Sequence, residues 1–259
     1  MDDVIYIKKP FNETFDSTTK GLAEIMNSIV LEFGSDWSFV GGYARDKWLG
    51  QSPNDYDICV MSAERVTSIL NTMGLLQTNP PTPTTIPHDY YLDPYDMSGH
   101  KHPIHWIHAD DERAYAPKHF DFTINHICLK QDGYFYAPKY TWDDFDKKII
   151  RKIADKMSPN IAFRAIRFAC RYGFTIHKDL VKEIIESASR PIDVLVYANN
   201  LRKMVDDEVG DASLTLLKEF VFPDANNCQT IEELIERQDV LVESGEGYRM
   251  PANTNYNNW

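Results

Sequence analysis

The chain has 259 residues, enough for one large or two small domains with cores of their own. A formal net charge of −12 excludes a generally cationic protein that wraps nucleic acid over its whole surface. No apolar run approaches 18 residues and no signal peptide is visible, so a soluble cytoplasmic chain without membrane contact is expected.

Charge is distributed unevenly. Lys147 to Lys182 holds ten Lys and Arg against two Asp, a local net of +8, so the remainder carries −20. One basic strip on an acidic body suits a single contact with a polyanion. The four cysteines Cys59, Cys128, Cys170 and Cys228 lie far apart with no CxxC pair, which predicts reduced thiols rather than a disulfide framework.

Residues 1–17 read as an irregular or short extended lead. Thr18 or Thr19 offers a cap for a helix whose Leu22, Ile25, Met26, Ile29, Val30 and Phe33 fall on one face, with Gly34 as its end. The apolar run Trp37 to Val40 leads into Gly41-Gly42, where backbone can approach backbone or phosphate closely and amides are available to an anion. A short helix over Tyr43 to Leu49 is stopped by Gly50 and Pro53. Asp55-Tyr56-Asp57 then opens an apolar run through Val60; on a strand, residues two apart share a face, which aims both carboxylates the same way. Paired carboxylates repel unless a cation lies between them, and hard oxygen donors suit Mg²⁺.

Gly-Gly-x-x-Arg-Asp-x-x-Leu-Gly followed by Asp-x-Asp, present in full from Gly41 to Asp57, resembles the opening motif of class II tRNA CCA-adding enzymes and bacterial poly(A) polymerases. The resemblance implies an α+β head of the polymerase-β-like nucleotidyltransferase type, with a mixed antiparallel sheet and flanking helices. It implies transfer with Mg²⁺ held by Asp55 and Asp57. Gly41, Gly42, Arg45 and Asp46 would lie at the nucleotide, the glycine amides and Arg45 against its β- and γ-phosphates.

Farther along, Ala63 to Met73 reads as a helix and residues 77–103 as a long loop with six prolines. The alternating run 103–108 suits a strand, and in the resembling family that strand bears a third carboxylate. His105 stands at the best-matched position, with Asp110 and Asp111 just beyond; either His105 or Asp110 takes that place. His88, His100, His102 and His108 crowd the same region, but without nearby cysteines or finger spacing they read as solvated loop residues, not zinc ligands. Asp121-Phe122-Thr123-Ile124-Asn125 resembles the family's Arg-Arg-Asp-Phe-Thr-x-Asn, which implies that Asp121 and Asn125 position the ribose. His119 and Phe120 replace the two arginines and remove a bidentate contact. Ile127 to Leu129 and Tyr134 to Tyr136, around a Gln-Asp-Gly turn, predict a hairpin at the sheet's edge.

The head is expected to end at residue 150, a helical neck and truncated body to cover 151–242, and a flexible tail 243–259. Ser158-Pro159 predicts a helix start, and Arg164, Arg167 and Arg171 fall on one face of that helix. The stretch Arg-Phe-Ala-Cys-Arg-Tyr-Gly-Phe resembles the family's neck, which implies that these arginines meet phosphates. In the family an aspartate and an arginine at the start of this helix read the incoming base; Ser158 and Ile161 stand there instead, and isoleucine has no donor. Altered base selection follows. Further helices are expected over Asp179 to Ser189, Asp193 to Val205, Ala212 to Phe220 and Thr230 to Val240.

The function expected is a Mg²⁺-dependent transfer of NMP from an NTP to a tRNA-like RNA 3′ end, with release of pyrophosphate. Two other readings stay open: the same chemistry on a protein or small-molecule acceptor, and a head that binds nucleotide or RNA without turnover.

Overall fold

The computed structural model describes residues 5–31, 36–61, 63–72, 76–77, 91–94, 104–109, 113–116, 120–188, 200–204 and 209–243. It divides into two compact units, Met1–Asp146 and Lys147–Trp259.

The first unit is built on one eight-stranded mixed sheet. In chain order its elements are β1 (Tyr6–Pro10), α1 (Ser17–Leu31), β2 (Trp37–Val40), α2 (Gly41–Trp48), β3 (Tyr56–Val60), α3 (Ala63–Thr72), β4 (Leu76–Gln77), β5 (Tyr91–Pro94), β6 (Ile104–His108), β7 (Cys128–Leu129), β8 (Tyr134–Pro138) and α4 (Lys139–Lys147). The strands lie in the order β1-β8-β7-β2-β3-β6-β5-β4. Strands β2, β3 and β7 are buried almost throughout, so they read as continuous apolar runs rather than alternating ones. Trp37, Phe39, Tyr43 and Tyr56 form an aromatic core layer, with Phe39 stacked on Tyr43 at 4.4 Å and Tyr43 on Tyr56 at 5.3 Å.

Three expectations are corrected here, and a fourth resolves to one of its alternatives. The N-terminal lead is extended: β1 pairs antiparallel with β8, Tyr6 opposite Pro138 through Pro10 opposite Tyr134. Its anchors come from far along the chain. Tyr6 stacks on Tyr115 at 4.1 Å, and Trp142 Nε1 donates to the Ile7 carbonyl at 2.9 Å. The hairpin of β7 and β8 is therefore interior to the sheet, and β1 holds the edge. The long 77–103 loop contains β5, which pairs with both β4 and β6; its remaining residues lie outside those described. Finally, α1 is started by Asp16, whose Oδ1 accepts the Thr19 amide at 2.8 Å, while Thr19 itself is 1% exposed inside the helix. The proposed helix end at Gly34 lies outside the described residues.

The second unit is helical. A two-stranded parallel pair, β9 (Ile149–Ile150) with β10 (Thr175–Ile176), brackets α5 (Pro159–Tyr172). Ser158 Oγ accepts the Ile161 amide at 3.3 Å and Pro159 fills the first turn. Gly173 ends the helix at φ 65°, the left-handed conformation that glycine adopts without a Cβ penalty. There follow α6 (Lys178–Ala188), helical residues 200–204, a 3₁₀ turn at Asp211–Ser213, α7 (Leu214–Phe220) and α8 (Ile231–Glu243). The buried face of α5, Ala162, Phe163, Ala165, Ile166, Phe168 and Ala169, supplies this unit's core together with Leu180, Ile184, Leu217 and Phe222. Most of the helix expected over Asp193 to Val205, and the tail beyond residue 243, lie outside the described residues.

Candidate active site

Helix α2 begins two residues earlier than its sequence suggests, on the glycine pair itself. Gly41 has φ 56°, and a Cβ there would lie 3.1 Å from Asp57 Oδ2 and 3.2 Å from the Phe120 ring. Gly42 is tighter still, since a Cβ would come within 2.8 Å of the same carboxylate oxygen. Gly41 therefore requires glycine for φ as well as for closeness, and Gly42 for closeness alone. The two amides are engaged within the chain: Gly42 N donates to Asp57 Oδ2 at 2.7 Å, and Gly41 N to the Ile127 carbonyl at 3.2 Å. Asp57 thus lies across the positive end of α2, where a carboxylate is favoured by the exposed amides and the helix dipole.

Asp55 differs from its expected place. Strand β3 starts at Tyr56, and Asp55 sits in the bend before it, half-buried like Asp57. His105 is the Cα partner of Asp57 in the parallel pairing of β3 with β6. Asp110 and Asp111 lie outside the described residues. Among the described residues no three His, Cys, Asp or Glu side chains converge as a metal cluster. The donor set still fits Mg²⁺, which is commonly held by one or two carboxylates while substrate phosphates and water complete its shell.

The second motif meets the first through a buried polar chain. Arg45 donates from Nε to Asp46 Oδ1 at 2.8 Å and pairs with it through Nη2 at 2.7 Å. Its Nη1 donates to Asn125 Oδ1 at 2.6 Å, and Asn125 Nδ2 donates to Asp121 Oδ1 at 2.7 Å. Asp121 Oδ1 also accepts the Phe122 amide at 3.0 Å. A second link runs from Thr123 Oγ1 to Asp144 Oδ2 at 2.7 Å, tying the 3₁₀ turn Thr123–Asn125 to α4. Arg45 is 5% exposed, Asp46 4% and Asn125 2%. These residues, expected to touch phosphate and ribose, are bonded to one another, with Asp121 Oδ2 outside those bonds.

Sequence reasoning missed His126, which is fully buried beside Asn125. Tyr6 Oη donates to the Ala116 carbonyl at 3.2 Å, so its 2.9 Å contact with His126 Nε2 requires the ring to donate there. Nδ1 meets the Tyr140 hydroxyl, whose pKa burial pushes up to about 12. The imidazole thereby joins β1, the motif turn and α4. Phe120, in place of a family arginine, is the other surprise: its ring fills the space beside Gly41. The replacement itself was the only signal in the sequence.

In the second unit, Arg164 is exposed and Arg167 and Arg171 are half-buried on α5. Arg164 and Arg167 carry their guanidinium carbons 5.6 and 5.5 Å from the Phe168 ring centre, and Arg171 lies 5.5 Å from that of Tyr172. Ring faces thus align the basic stripe. No helix among the described residues is long and apolar enough to cross a membrane.

No family model matches the sequence. The chain is 29% identical over 127 residues, 47% of its length, to the multifunctional CCA protein of Acinetobacter baumannii, covering 30% of that protein. It is 27% identical over 169 residues, 60% of its length, to the CCA-adding enzyme of Leuconostoc mesenteroides, covering 41% of it. Among solved structures, the Thermotoga maritima CCA-adding enzyme complexed with tRNA matches with a TM-score of 0.65 at 19% identity, over 83% of this chain and 55% of that one. The Bacillus stearothermophilus CCA-adding enzyme in complex with CTP matches with a TM-score of 0.58 at 22% identity, over 80% and 53%. The chain spans about a third of the curated relatives and about half of these structures. Likeness of sequence and likeness of backbone converge: the chain is similar to CCA-adding enzymes over part of their length and shares their fold.

Proposed function

We propose that the protein transfers NMP from an NTP to the 3′ end of a tRNA-like RNA, with Mg²⁺ held by Asp55 and Asp57. The observation that carries this reading is the 2.7 Å bond between Gly42 N and Asp57 Oδ2. It brings the glycine bend and the Asp-x-Asp segment, fifteen residues apart, to one point at the positive end of a helix. Nucleotide-bound solved relatives of the same fold add support.

When bound there, Mg²⁺ neutralises triphosphate charge and acidifies the acceptor hydroxyl. The chain's own residues do the positioning. Gly41 and Gly42 let the Asp57 carboxylate lie directly against the helix start. The Arg45, Asp46, Asn125 and Asp121 chain fixes the turn against α2, a framing role in place of direct phosphate or ribose contact. In the transfer an acceptor oxygen forms a bond to the α-phosphorus as the bond to the bridging oxygen breaks, and pyrophosphate leaves. Arg164, Arg167 and Arg171 supply phosphate contacts in the second unit. Ser158 and Ile161, lacking a paired donor and acceptor for a base edge, relax the choice of nucleotide.

The test supplies each radiolabelled NTP with Mg²⁺ and a deproteinised tRNA pool. Label at RNA 3′ ends is expected, with more than one NTP used. Label on protein or small molecules would replace the acceptor, and tight NTP binding without transfer would leave a binding protein only.

A further inference from the structure

A cavity of about 170 Å³ opens beside Asp55, between the start of α1, the outer face of α2 and the bend before β3. That volume is close to the ~150 Å³ that encloses a single six-membered ring, so one sugar ring fits and a whole nucleoside does not. Its polar groups come from Asp16, Thr19, Tyr43, Lys47, Asp55 and Tyr56, and the exposed Ser52 with Pro53 completes the lining.

The polar groups are pre-arranged. Thr19 Oγ1 donates to Asp16 Oδ2 at 2.9 Å and lies 3.1 Å from Tyr43 Oη and 3.4 Å from Tyr56 Oη. With its proton directed to Asp16, Thr19 accepts from the phenols. Burial pushes the Tyr43 phenol far above its ordinary value, which keeps that donor protonated. Burial draws the Asp16 carboxyl upward, but the bonds from Thr19 and the charge of Lys47 outweigh it and hold the group below its usual value. Lys47 Nζ stands 3.7 Å from Asp16 Oδ2 at the rim.

We propose that this cavity is a ribose site, with Asp16 accepting a ribose hydroxyl and Lys47 meeting the phosphate attached to that sugar. A carboxylate is the group that recognises ribose hydroxyls, and a rim lysine suits a phosphate. Asp121 Oδ1 and both groups of the Asn125 amide are taken by bonds within the chain, and Asp16 adds an acceptor for a sugar at this separate cavity. The ligand's identity as a nucleotide rests on the transferase reading above. The sugar belongs either to the incoming NTP or to the acceptor's 3′-terminal residue.

The test measures binding by the full chain, not turnover. Fluorescence anisotropy compares a labelled RNA hairpin with the same hairpin ending in a 2′-deoxynucleotide; a parallel titration compares ATP with 2′-deoxy-ATP in the presence of Mg²⁺. Loss of one hydrogen bond to a charged acceptor predicts about tenfold weaker binding of the deoxy member of one pair. The affected pair names the source of the sugar. Asp16→Asn, which keeps the helix cap, and Ser52→Trp, which blocks the exposed rim, are each expected to shrink that difference to less than threefold. Equal binding within both pairs overturns the ribose site and leaves transfer untouched. A deoxy penalty that survives both variants also overturns it. No binding of either hairpin or either nucleotide overturns this site and the transferase reading together.

Discussion

Gly42→Ala is a small change whose cost follows from one distance. The backbone at Gly42 is ordinary helix, so alanine's higher helix propensity contributes about 1 kcal/mol in favour of folding. Against this, the new Cβ falls 2.8 Å from Asp57 Oδ2, and the carboxylate must retreat by roughly 0.6 Å to reach ordinary contact. That movement lengthens or breaks the 2.7 Å bond from Gly42 N, a bond to a charged group worth about 1.5–3 kcal/mol. The net loss of stability is about 0.5–2 kcal/mol, read from urea unfolding followed by circular dichroism. Transfer suffers more, since misplacing a reacting group by about an ångström costs on the order of 100-fold. The assay is incorporation of labelled NMP into tRNA at saturating NTP. Retention of more than a third of the wild-type rate would refute the claim that Asp57 is positioned by the helix start.

Asp57→Asn keeps an acceptor for the Gly42 amide and is expected to abolish transfer while costing only about 1 kcal/mol in urea unfolding; normal rates would remove Asp57 from the site. Arg45→Met strands the buried Asp46 carboxylate and is expected to cost about 3–5 kcal/mol in urea unfolding, with the Arg45→Met/Asp46→Leu pair less damaging than the single change. Stability should fall above pH 9. Burial pushes the Cys128 thiol up to about 12, so the folded chain keeps a proton that the unfolded chain releases near 8.5, and about 1–2 kcal/mol is lost by pH 10. Unfolding Cys128→Ala at pH 8 and pH 10 checks this, because the variant should show a shallower decline. Ser158→Asp with Ile161→Arg restores a donor and an acceptor at the base-reading helix and should narrow nucleotide use, measured as relative rates for the four NTPs.

The glycine bend, the Asp-x-Asp segment and the α5 start were legible in the sequence because each depends on local chemistry: a left-handed φ, a cap, a proline at the first turn. The pairing of the N-terminal extended segment was not, since Tyr6–Pro10 has no alternating pattern and is held by Trp142, Tyr115 and β8, all more than 100 residues away. Burial also escaped the motif reading. Arg45, Asp46, Asp121 and Asn125 were identified as a set, but a sequence does not say whether polar groups face a ligand or each other, and here they face each other. The strand β5 was hidden by the prolines around it. His126 stood in no motif, and only the fold brings two tyrosine hydroxyls to its ring.

Because the first strand of the head pairs with the last, the fold is a belt whose buckle is threaded at the end. Synthesis must run past residue 142 before Tyr6 and Ile7 find their partners, so a nascent chain shorter than that carries an open flank on β8's side of the sheet. Trimming the first ten residues would have the same effect on the mature protein, loosening the turn that bears Asn125 although the cut lies more than 100 positions upstream.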